Sequence, residues 1–322
     1  MAIIKGYPVK IAGTGKYIPE KVMTNFDFEK FLDTSDEWIR TRSGISERHL
    51  AAPDERCSDL AAKAGQAAIE DAGLKPEDID LVIVSSDTPD SNCPAVSAKV
   101  QAMIGTKNAG VYDLNAGCSG SLTAMLTAIS GIASGVWNNV LVIGSEDFAD
   151  VLDWNDRTTC ILFGDGAGAC VLTRSEEGGP HFVSGAIAAD GSCSDYITID
   201  REEGRTMPVL RMKGKDVFRY VNRHLPDFIR KFCAESGVTA EEIDFWVLHQ
   251  ANTRIIDSLF RRLAIPTERT LINLPGYGNT SAASLVITLD EAMKEGRIKS
   301  GEKIMFTAFG AGMTLGALLY EA

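Results

Sequence analysis

The sequence predicts a duplicated α/β fold, in which two pseudo-symmetric halves each alternate buried strands with helices. Short apolar runs rich in β-branched residues alternate with stretches of helical periodicity, which is typical of helices packed on buried sheets. The same motifs then recur in the same order at an offset of 164 residues. Because solenoid repeats are far shorter, this offset indicates a duplicated domain. We expect one half over residues 1–173 and the other over 174–322.

The two copies share one plan that can be followed along the chain. Each copy has a helix end with a glycine, an acidic helix start, an Ile-Asp pair and a buried strand. The first copy reads AGLKPEDIDLVIVSSDTP from Ala72, and the second reads SGVTAEEIDFWVLHQANT from Ser236. The same offset pairs Asn115 with Asn279, so the match extends to the loops that follow the strands.

Composition bounds the classes of protein that the chain can belong to. Of its 322 residues, 45% are hydrophobic and 24% are charged, the balance of a folded globular protein. No apolar run approaches the ~20 residues that cross a bilayer, and the start MAIIKGYPVKIAGTG lacks the features of a secretory signal. We therefore expect a cytoplasmic protein that makes no membrane contact. A net charge of -12 opposes broad nucleic-acid binding.

The cysteines argue against structural cross-links. There are seven of them, an odd number, and they are widely scattered with no CxxC pair. This pattern favours neither a disulfide framework nor a zinc site. We expect reduced thiols and no metal.

One cysteine stands out by its position. In NAGCSGSL, which begins at Asn115, Cys118 lies between two glycines at the start of a predicted core helix. The unpaired N–H groups and the dipole of a helix N-terminus favour an anion, so we expect a lowered thiol pKa and a nucleophilic thiolate. The alternative is a small buried residue that only lets the helix pack.

The repeat supplies partners for this thiol. The offset places His249 where the first copy has Ser85, at the end of a buried strand, and Asn279 where it has Asn115. Singly, these would be a core histidine and a turn residue. If the halves pack about a pseudo-twofold axis, however, their loops meet at the centre. Cys118, His249 and Asn279 together indicate a catalytic set.

These motifs resemble a known family. NAGCSGSL, LHQAN and GNTSAAS are similar to the corresponding motifs of the thiolase-fold condensing enzymes, and most closely to those of the β-ketoacyl-acyl carrier protein synthase III family. Three further stretches agree: TSDEWIRTRSGI, DRTTCILFGDGAGA and AFGAGMTLG. The resemblance runs the whole length of the chain in the expected order. It implies a thiolase-like αβαβα layered fold and a homodimer.

The resemblance also implies a reaction. A member of this family is an acyltransferase that condenses an acyl-CoA primer with malonyl-acyl carrier protein, releasing CO2 and starting fatty-acid synthesis. Cys118 would carry the acyl group as a thioester, and CoA thioesters would be substrates with no further cofactor. His249 and Asn279 would donate to the enolate oxygen. The backbone N–H of Ala311 would complete an oxyanion hole with that of Cys118, and Phe309 would help expel the carboxylate.

Substrate-binding residues follow from the same resemblance. Trp38, Arg42 and Arg157 match the positions that frame the CoA adenine. On the helix predicted after His249, the basic residues off the apolar stripe form a candidate dock for the acidic carrier protein, with nearby lysines in support. These residues are Arg254, Arg261, Arg262, Lys213 and Lys215.

The sequence departs from the family at the acyl pocket. Relatives often have an aromatic residue before a proline, reaching into the partner subunit's pocket, whereas this chain has Cys93 before Pro94. The smaller side chain leaves more volume. We therefore expect acyl chains longer than acetyl to be accepted.

Four alternatives remain open. A sister condensing enzyme of secondary metabolism, of the polyketide or quinolone type, would keep the same triad with a different acceptor. A non-catalytic scaffold of the same fold would have little reason to keep all three residues. A hydrolase using Cys118 would give Asn279 no role. A nucleotide-binding enzyme is disfavoured because the glycine-rich stretches GDGAGA and GAGMTLG do not fit G-x-G-x-x-G.

Overall fold

The computed structural model describes residues 4–322. The three residues before this range belong to the stretch from which we predict the lack of a secretory signal, and they lie outside the described residues. The strands are β1 Ile4–Tyr7, β2 Val9–Tyr17, β3 Lys21–Thr24, β4 Glu47–Leu50, β5 Leu81–Ser85, β6 Gly110–Leu114, β7 Asn139–Glu146, β8 Gly166–Arg174, β9 His181–Ala189, β10 Ile197–Asp200, β11 Val209–Met212, β12 Phe245–Leu248, β13 Lys303–Gly310 and β14 Thr314–Glu321. The helices are α1 Asn25–Phe28, α2 Asp36–Ser43, α3 Cys57–Asp71, α4 Val96–Ile104, α5 Gly120–Ala133, α6 Gly214–Ser236, α7 Thr253–Leu263, α8 Leu274–Tyr277 and α9 Ala283–Lys294.

Two five-stranded sheets organise the molecule. The first has the order β2-β8-β7-β5-β6 and the second the order β1-β9-β14-β13-β12. Helices α3 and α4 cover the outer face of the first sheet, α5 and α9 lie between the sheets, and α6 contacts the second sheet from outside together with α7. The predicted αβαβα layering is confirmed.

The repeat is visible in the hydrogen bonds that start the central strands. The Asp80 N–H donates to the Asn139 carbonyl at 2.9 Å, and the Asp80 carboxylate accepts the Asn139 N–H at 3.1 Å. Asp244 makes the same two bonds with Lys303, at 2.9 and 2.9 Å. Since β7 begins at Asn139 and β13 at Lys303, these matching pairs keep the predicted offset of 164 residues.

The two copies differ at their connections. The segment from β7 to β8 spans residues 147–165, whereas residues 311–313 alone join β13 to β14. Strand β6 has no full counterpart, because the second sheet carries only an isolated bridge at that position. Strand β1 pairs antiparallel with β9, so the beginning of the chain contributes to the sheet of the other half. The boundary between residues 173 and 174 stays a prediction.

The core lies mainly between the sheets. Leu122, Met125 and Ile129, which the sequence places on one helical face, are at most 1% exposed on α5. Full burial of such a side chain contributes roughly 1.5–3 kcal/mol. This packing fixes α5, and with it the turn that carries Cys118, against both sheets. Within residues 4–322, none of the helices is long and apolar enough to span a membrane.

Candidate active site

A cavity of about 1100 Å³ lies where the two halves meet. Cys118 reaches it from the first half, and His249 and Asn279 reach it from the second. The three residues that the sequence predicts as a catalytic set therefore share one cavity. Its wall also includes Phe309, Gly310 and Ala311 from the tight turn after β13, together with Asp87, Phe148, Phe163 and Ser281.

Cys118 lies in a single helical turn over Gly117–Ser119 that leads directly into α5. Gly117 has a φ of +57°, in the left-handed region, so this position favours glycine. The Cys118 side chain is only 8% exposed. Its sulfur lies 3.1 Å from Ser281 Oγ, a contact that joins the two halves.

The expectation of a lowered thiol pKa is wrong for the resting site. Cys118 does stand at the N-terminus of a helix, as predicted. Burial nevertheless raises the pKa of the thiol well above its usual range, and the nearby charge of Asp87 raises it further, while the Ser281 hydroxyl acts in the opposite direction. Because burial disfavours the thiolate, the sulfur needs a group that takes its proton.

His249 follows β12 and is 2% exposed. Its Nδ1 lies 2.6 Å from Ser284 Oγ, whereas its Nε2 is buried and has no hydrogen-bond partner among the described residues. The ring meets Phe309 edge-on with centroids 5.0 Å apart. Burial lowers the pKa of His249 to about 3, so the imidazole is neutral at physiological pH.

Asn279 is oriented by its own loop. Its side-chain oxygen accepts the Ser281 N–H at 2.9 Å, which leaves the amide NH2 as the available donor. The backbone of Asn279 bonds to Leu162 and Gly164 of the first half, at 2.8 and 3.1 Å. Contacts from both halves therefore fix the direction of the Asn279 amide.

Two backbone turns approach each other beside the sulfur. A Cβ added to Gly310 would lie 2.6 Å from the Cys118 nitrogen, and a Cβ added to Gly117 would lie 2.6 Å from the Ala311 nitrogen. The turn after β13 is thus packed directly against the turn that carries the thiol. This arrangement brings the two N–H groups that the resemblance implies for an oxyanion hole to the same end of the cavity.

Buried polar residues that the sequence reasoning missed support the triad. Glu146, at the end of β7, is fully buried and accepts the Asp87 N–H at 3.0 Å and the Thr88 hydroxyl at 2.7 Å. Burial, and then the charge of Asp87, raise the pKa of Glu146. Asp87 follows the carboxyl end of β5, an edge where α/β sheets place functional groups. The position of Asp87 after a buried strand could therefore have identified it from the sequence as a candidate functional residue.

The residues predicted to bind CoA lie together at one side of the cavity. Trp38, Arg42 and Arg157 all line it. The Arg157 guanidinium lies 5.5 Å from the centre of the Trp38 ring and 3.3 Å from the Asp33 carboxylate. Trp38 is 38% exposed, unusual for so large an apolar side chain.

The predicted docking residues divide into two groups. Arg254, Arg262 and Lys215 line the cavity, whereas Arg261 and Lys213 do not. The Arg254 guanidinium lies 5.2 Å from the ring centre of Phe218. Two arginines that the prediction did not include, Arg219 and Arg223 on α6, widen the basic rim. The predicted apolar stripe of α7 is buried, which confirms that helix.

Cys93 is exposed and does not line the cavity of its own chain. Its predicted contact with the acyl pocket of a partner subunit stays a prediction. The seven cysteines all fall within residues 4–322 and are unbridged. Over the same range, no group of three or more His, Cys, Asp or Glu side chains is arranged to hold a metal ion.

Comparisons with known proteins agree with this geometry. Residues 112–191 match the family model described as 3-oxoacyl-[acyl-carrier-protein (ACP)] synthase III, and residues 233–322 match the model of its C-terminal part. The β-ketoacyl-[acyl-carrier-protein] synthase III of Caldanaerobacter subterraneus is 45% identical over 316 residues, covering 94% of this chain and 95% of the relative.

Solved structures extend the similarity to three dimensions. The crystal structure of 3-oxoacyl-[acyl-carrier-protein] synthase III from Aquifex aeolicus is 44% identical and superposes with a TM-score of 0.93, covering 98% of this chain and 100% of that one. The priming β-ketosynthase of the R1128 polyketide pathway is 33% identical, with a TM-score of 0.92 and coverage of 98% and 97%.

Proposed function

The chain belongs to the β-ketoacyl-[acyl-carrier-protein] synthase III family, and we propose that it carries out the family's reaction through an acyl thioester on Cys118. The enzyme is an acyltransferase that condenses an acyl-CoA primer with malonyl-acyl carrier protein, giving 3-oxoacyl-acyl carrier protein and initiating fatty-acid synthesis. The observation that supports this route is the meeting of Cys118, His249 and Asn279, from two halves, in one cavity.

In the first half-reaction, the Cys118 sulfur attacks the acyl-CoA carbonyl carbon and CoA leaves as the thiol. Negative charge develops on the thioester oxygen, which needs preorganised donors. The N–H groups of Cys118 and Ala311 are suited to this task, since the Gly117 and Gly310 backbones bring their turns into contact. Removing one such donor typically costs about 10² to 10³ in rate.

In the second half-reaction, malonyl-acyl carrier protein loses CO2 and its enolate attacks the acyl thioester on Cys118. His249 Nε2 and the Asn279 amide donate to the enolate oxygen. For Nε2 to carry the hydrogen, Nδ1 must accept, and the Ser284 hydroxyl at 2.6 Å supplies that bond when its hydrogen points to Nδ1 and not to the Ser281 carbonyl at 2.9 Å. Phe309, edge-on to the imidazole, offers an apolar surface that disfavours the carboxylate.

The cavity mouth is suited to the two carriers. Trp38 with Arg157 offers an aromatic face and charge for the CoA adenine, with Arg42 beside them. Arg254 and Arg262 attract the acidic carrier protein, with Arg261 adding charge on the exposed side of α7. No cofactor beyond the CoA thioester takes part, and the enzyme acts in the cytoplasm.

The functional unit is a homodimer. Strand β6 lies at the edge of the first sheet, and among the described residues no strand pairs with its outer side. Such an edge invites pairing with a second chain. A symmetric β6–β6 contact would continue the sheet across both protomers. The segment that follows Cys93 lies beside this edge, since the Val96 N–H donates to the Asp113 carboxylate on β6 at 2.6 Å.

Mass spectrometry of the intact protein tests the covalent route. After incubation with a mixture of acyl-CoAs, we expect an added acyl mass on the peptide that contains Cys118, which disappears when malonyl-acyl carrier protein is added. Cys118→Ser should abolish the transfer. His249→Ala and Asn279→Ala should still acylate but lose malonyl decarboxylation. Condensation by the Cys118→Ser protein would contradict the scheme.

A condensing enzyme of secondary metabolism is the second candidate. The similarity to the R1128 priming β-ketosynthase supports it, at 33% identity. The higher identity of 45% to a β-ketoacyl-[acyl-carrier-protein] synthase III favours fatty-acid synthesis. Comparing malonyl-acyl carrier protein with malonyl-CoA as the acceptor in the same mass assay separates the two.

A further inference from the structure

A buried chain of polar groups leads away from the Cys118 sulfur. Ser281 Oγ lies 3.1 Å from Cys118 Sγ and 2.8 Å from Asp87 Oδ2. Ser281 is fully buried, so its hydroxyl has no bulk water with which to exchange hydrogen bonds. The three side chains form one row, which runs from the thiol of the first half through a residue of the second half and back to the first.

The chemistry of a hydroxyl gives this row a direction. A serine side chain has one hydrogen to donate and two lone pairs that accept. When Ser281 donates its hydrogen to Asp87, its hydrogen bond with Cys118 must run the other way, from the S–H group to the Ser281 oxygen. When the sulfur is anionic, Ser281 donates to it instead, and Asp87 carries the proton. The two arrangements differ by one proton, moved along the row.

The backbone holds Ser281 in place for this task. Its φ is +43°, a left-handed conformation that is uncommon for a residue with a Cβ and tends to occur at functional sites. The Asn279 side-chain oxygen accepts its N–H at 2.9 Å, and Ser284 Oγ lies 2.9 Å from its carbonyl. Ser281 therefore has a fixed place between the thiol and the carboxylate.

Asp87 is suited to receive a proton. Among residues 4–322, no Lys, Arg or His forms an ion pair with its carboxylate that would hold it permanently anionic. Glu146 lies behind it and accepts its backbone N–H. Burial raises the pKa of Asp87, and two neighbouring carboxylates do not readily both ionise. Cys118 and His249 share the cavity wall with Asp87, and so do the basic residues of the rim.

We propose that Asp87, acting through Ser281, accepts the proton of Cys118 when the acyl group moves from CoA to the sulfur. The Cys118 S–H proton passes to Ser281 Oγ while the Ser281 hydrogen passes to Asp87 Oδ2. The sulfur bonds to the acyl carbon, and the bond from that carbon to the CoA sulfur breaks. The proton then returns through Ser281 to the departing CoA sulfur, so the step releases CoA as the thiol and leaves Asp87 anionic.

This inference rests on the proposed function, because it supplies the base that an acylating thiol buried in this way requires. Asp87 does not touch the substrate and acts only through Ser281. If Asp87 only fixed the Ser281 rotamer, replacing Asp87 would lower the acylation rate by a factor that does not depend on pH. If Asp87 accepts the proton, the acylation rate lost on its replacement should recover at high pH, since hydroxide can then generate the thiolate directly.

Single-turnover acylation with acetyl-CoA, followed by quenching and intact-protein mass, tests the proposal between pH 6 and pH 10. Asp87→Asn keeps the size and the hydrogen bond to Ser281 but cannot take the proton. We expect its acylation rate at neutral pH to fall by about 10² to 10⁴, the usual contribution of a positioned base, and to rise steadily toward the wild-type rate at alkaline pH. The matched control is Asp147→Asn, a buried carboxylate outside the cavity wall, which should acylate normally.

Ser281→Ala provides an independent variant should Asp87→Asn fold poorly. It should show the same loss and the same alkaline recovery, and the double variant should be no slower than the slower single variant, because both remove one relay. An Asp87→Asn rate that matches wild type at neutral pH, or that is reduced by one factor at every pH, would overturn the relay. If the wild-type protein forms no adduct on Cys118 at any pH, the covalent function itself fails.

Discussion

Gly310 is the position where a single methyl group should separate folding from acyl transfer. It ends β13 and packs against the turn of Cys118. In Gly310→Ala, the new Cβ would lie 2.6 Å from the Cys118 nitrogen and 2.8 Å from the Ser119 nitrogen. Ordinary contact begins at 3.4 Å, so the two turns must part by about 0.8 Å.

This displacement acts on the oxyanion hole. A misplacement of about 1 Å can cost roughly 10²-fold in rate, which corresponds to about 2.7 kcal/mol of transition-state stabilisation. Forcing an extra methyl group into a packed interior destabilises the fold by roughly 1–3 kcal/mol. We therefore expect acylation by Gly310→Ala to be about 100-fold slower, in a protein that still folds.

The assay is the rate of CoA release in a single turnover, with thermal unfolding measured in parallel. Gly276→Ala is the matched control, because a Cβ there has no atom within 4 Å. It should leave the rate of CoA release and the thermal stability near those of the wild type. If Gly310→Ala acylates as fast as wild type while remaining folded, the N–H groups of these two turns do not form the oxyanion hole, and the reasoning fails.

Three further predictions concern the second half-reaction and specificity. Because burial lowers the pKa of His249 to about 3, the imidazole stays neutral as the pH falls, and the rate of condensation from preformed acyl-enzyme should not change between pH 8 and pH 5.5. The rate is measured as decarboxylation of labelled malonyl carrier, and a loss of rate centred near pH 6.5 would contradict this prediction. In kinetics with a ladder of acyl-CoAs, the wild type should accept chains longer than acetyl and Cys93→Phe should restrict them; a strict acetyl preference in the wild type would refute the argument from volume. Arg254→Ala should raise KM for malonyl-acyl carrier protein, by a factor that shrinks as salt is added, and leave acylation by acetyl-CoA unchanged; an unchanged KM at low salt would remove this residue from the docking surface.

The duplication made the positions of the site residues predictable from the sequence, because it sets a constant spacing between equivalent elements of the two halves. The offset of 164 residues is kept by the Asp80 and Asp244 bonds at the starts of β7 and β13, and it placed His249 and Asn279 at equivalent strand and turn positions. Periodicity likewise predicted α5 and α7. These features depend on local pattern and repetition, which a single chain displays.

Contacts between distant segments could not be predicted in the same way. The helix N-terminus ahead of α5 is readable from residues near Cys118, but the burial of the thiol and its neighbour Asp87 depend on packing between segments far apart in the chain. The pKa of Cys118 was therefore expected in the wrong direction. The role of Ser281 was also hidden, since the GNTSAAS motif shows a serine but not its place between two side chains.

The buried carboxylate of Glu146 explains why a doubled framework works at one centre only. The offset sets Ala282 opposite Cys118 and Glu146 opposite Gly310. Beside the Cys118 N–H, Gly310 contributes no side chain, whereas the Ala282 N–H donates to the Glu146 carboxylate at 3.3 Å. At the position that the repeat relates to the active centre, the Glu146 carboxyl thus occupies the place beside an N–H that Gly310 leaves open for a substrate's oxygen.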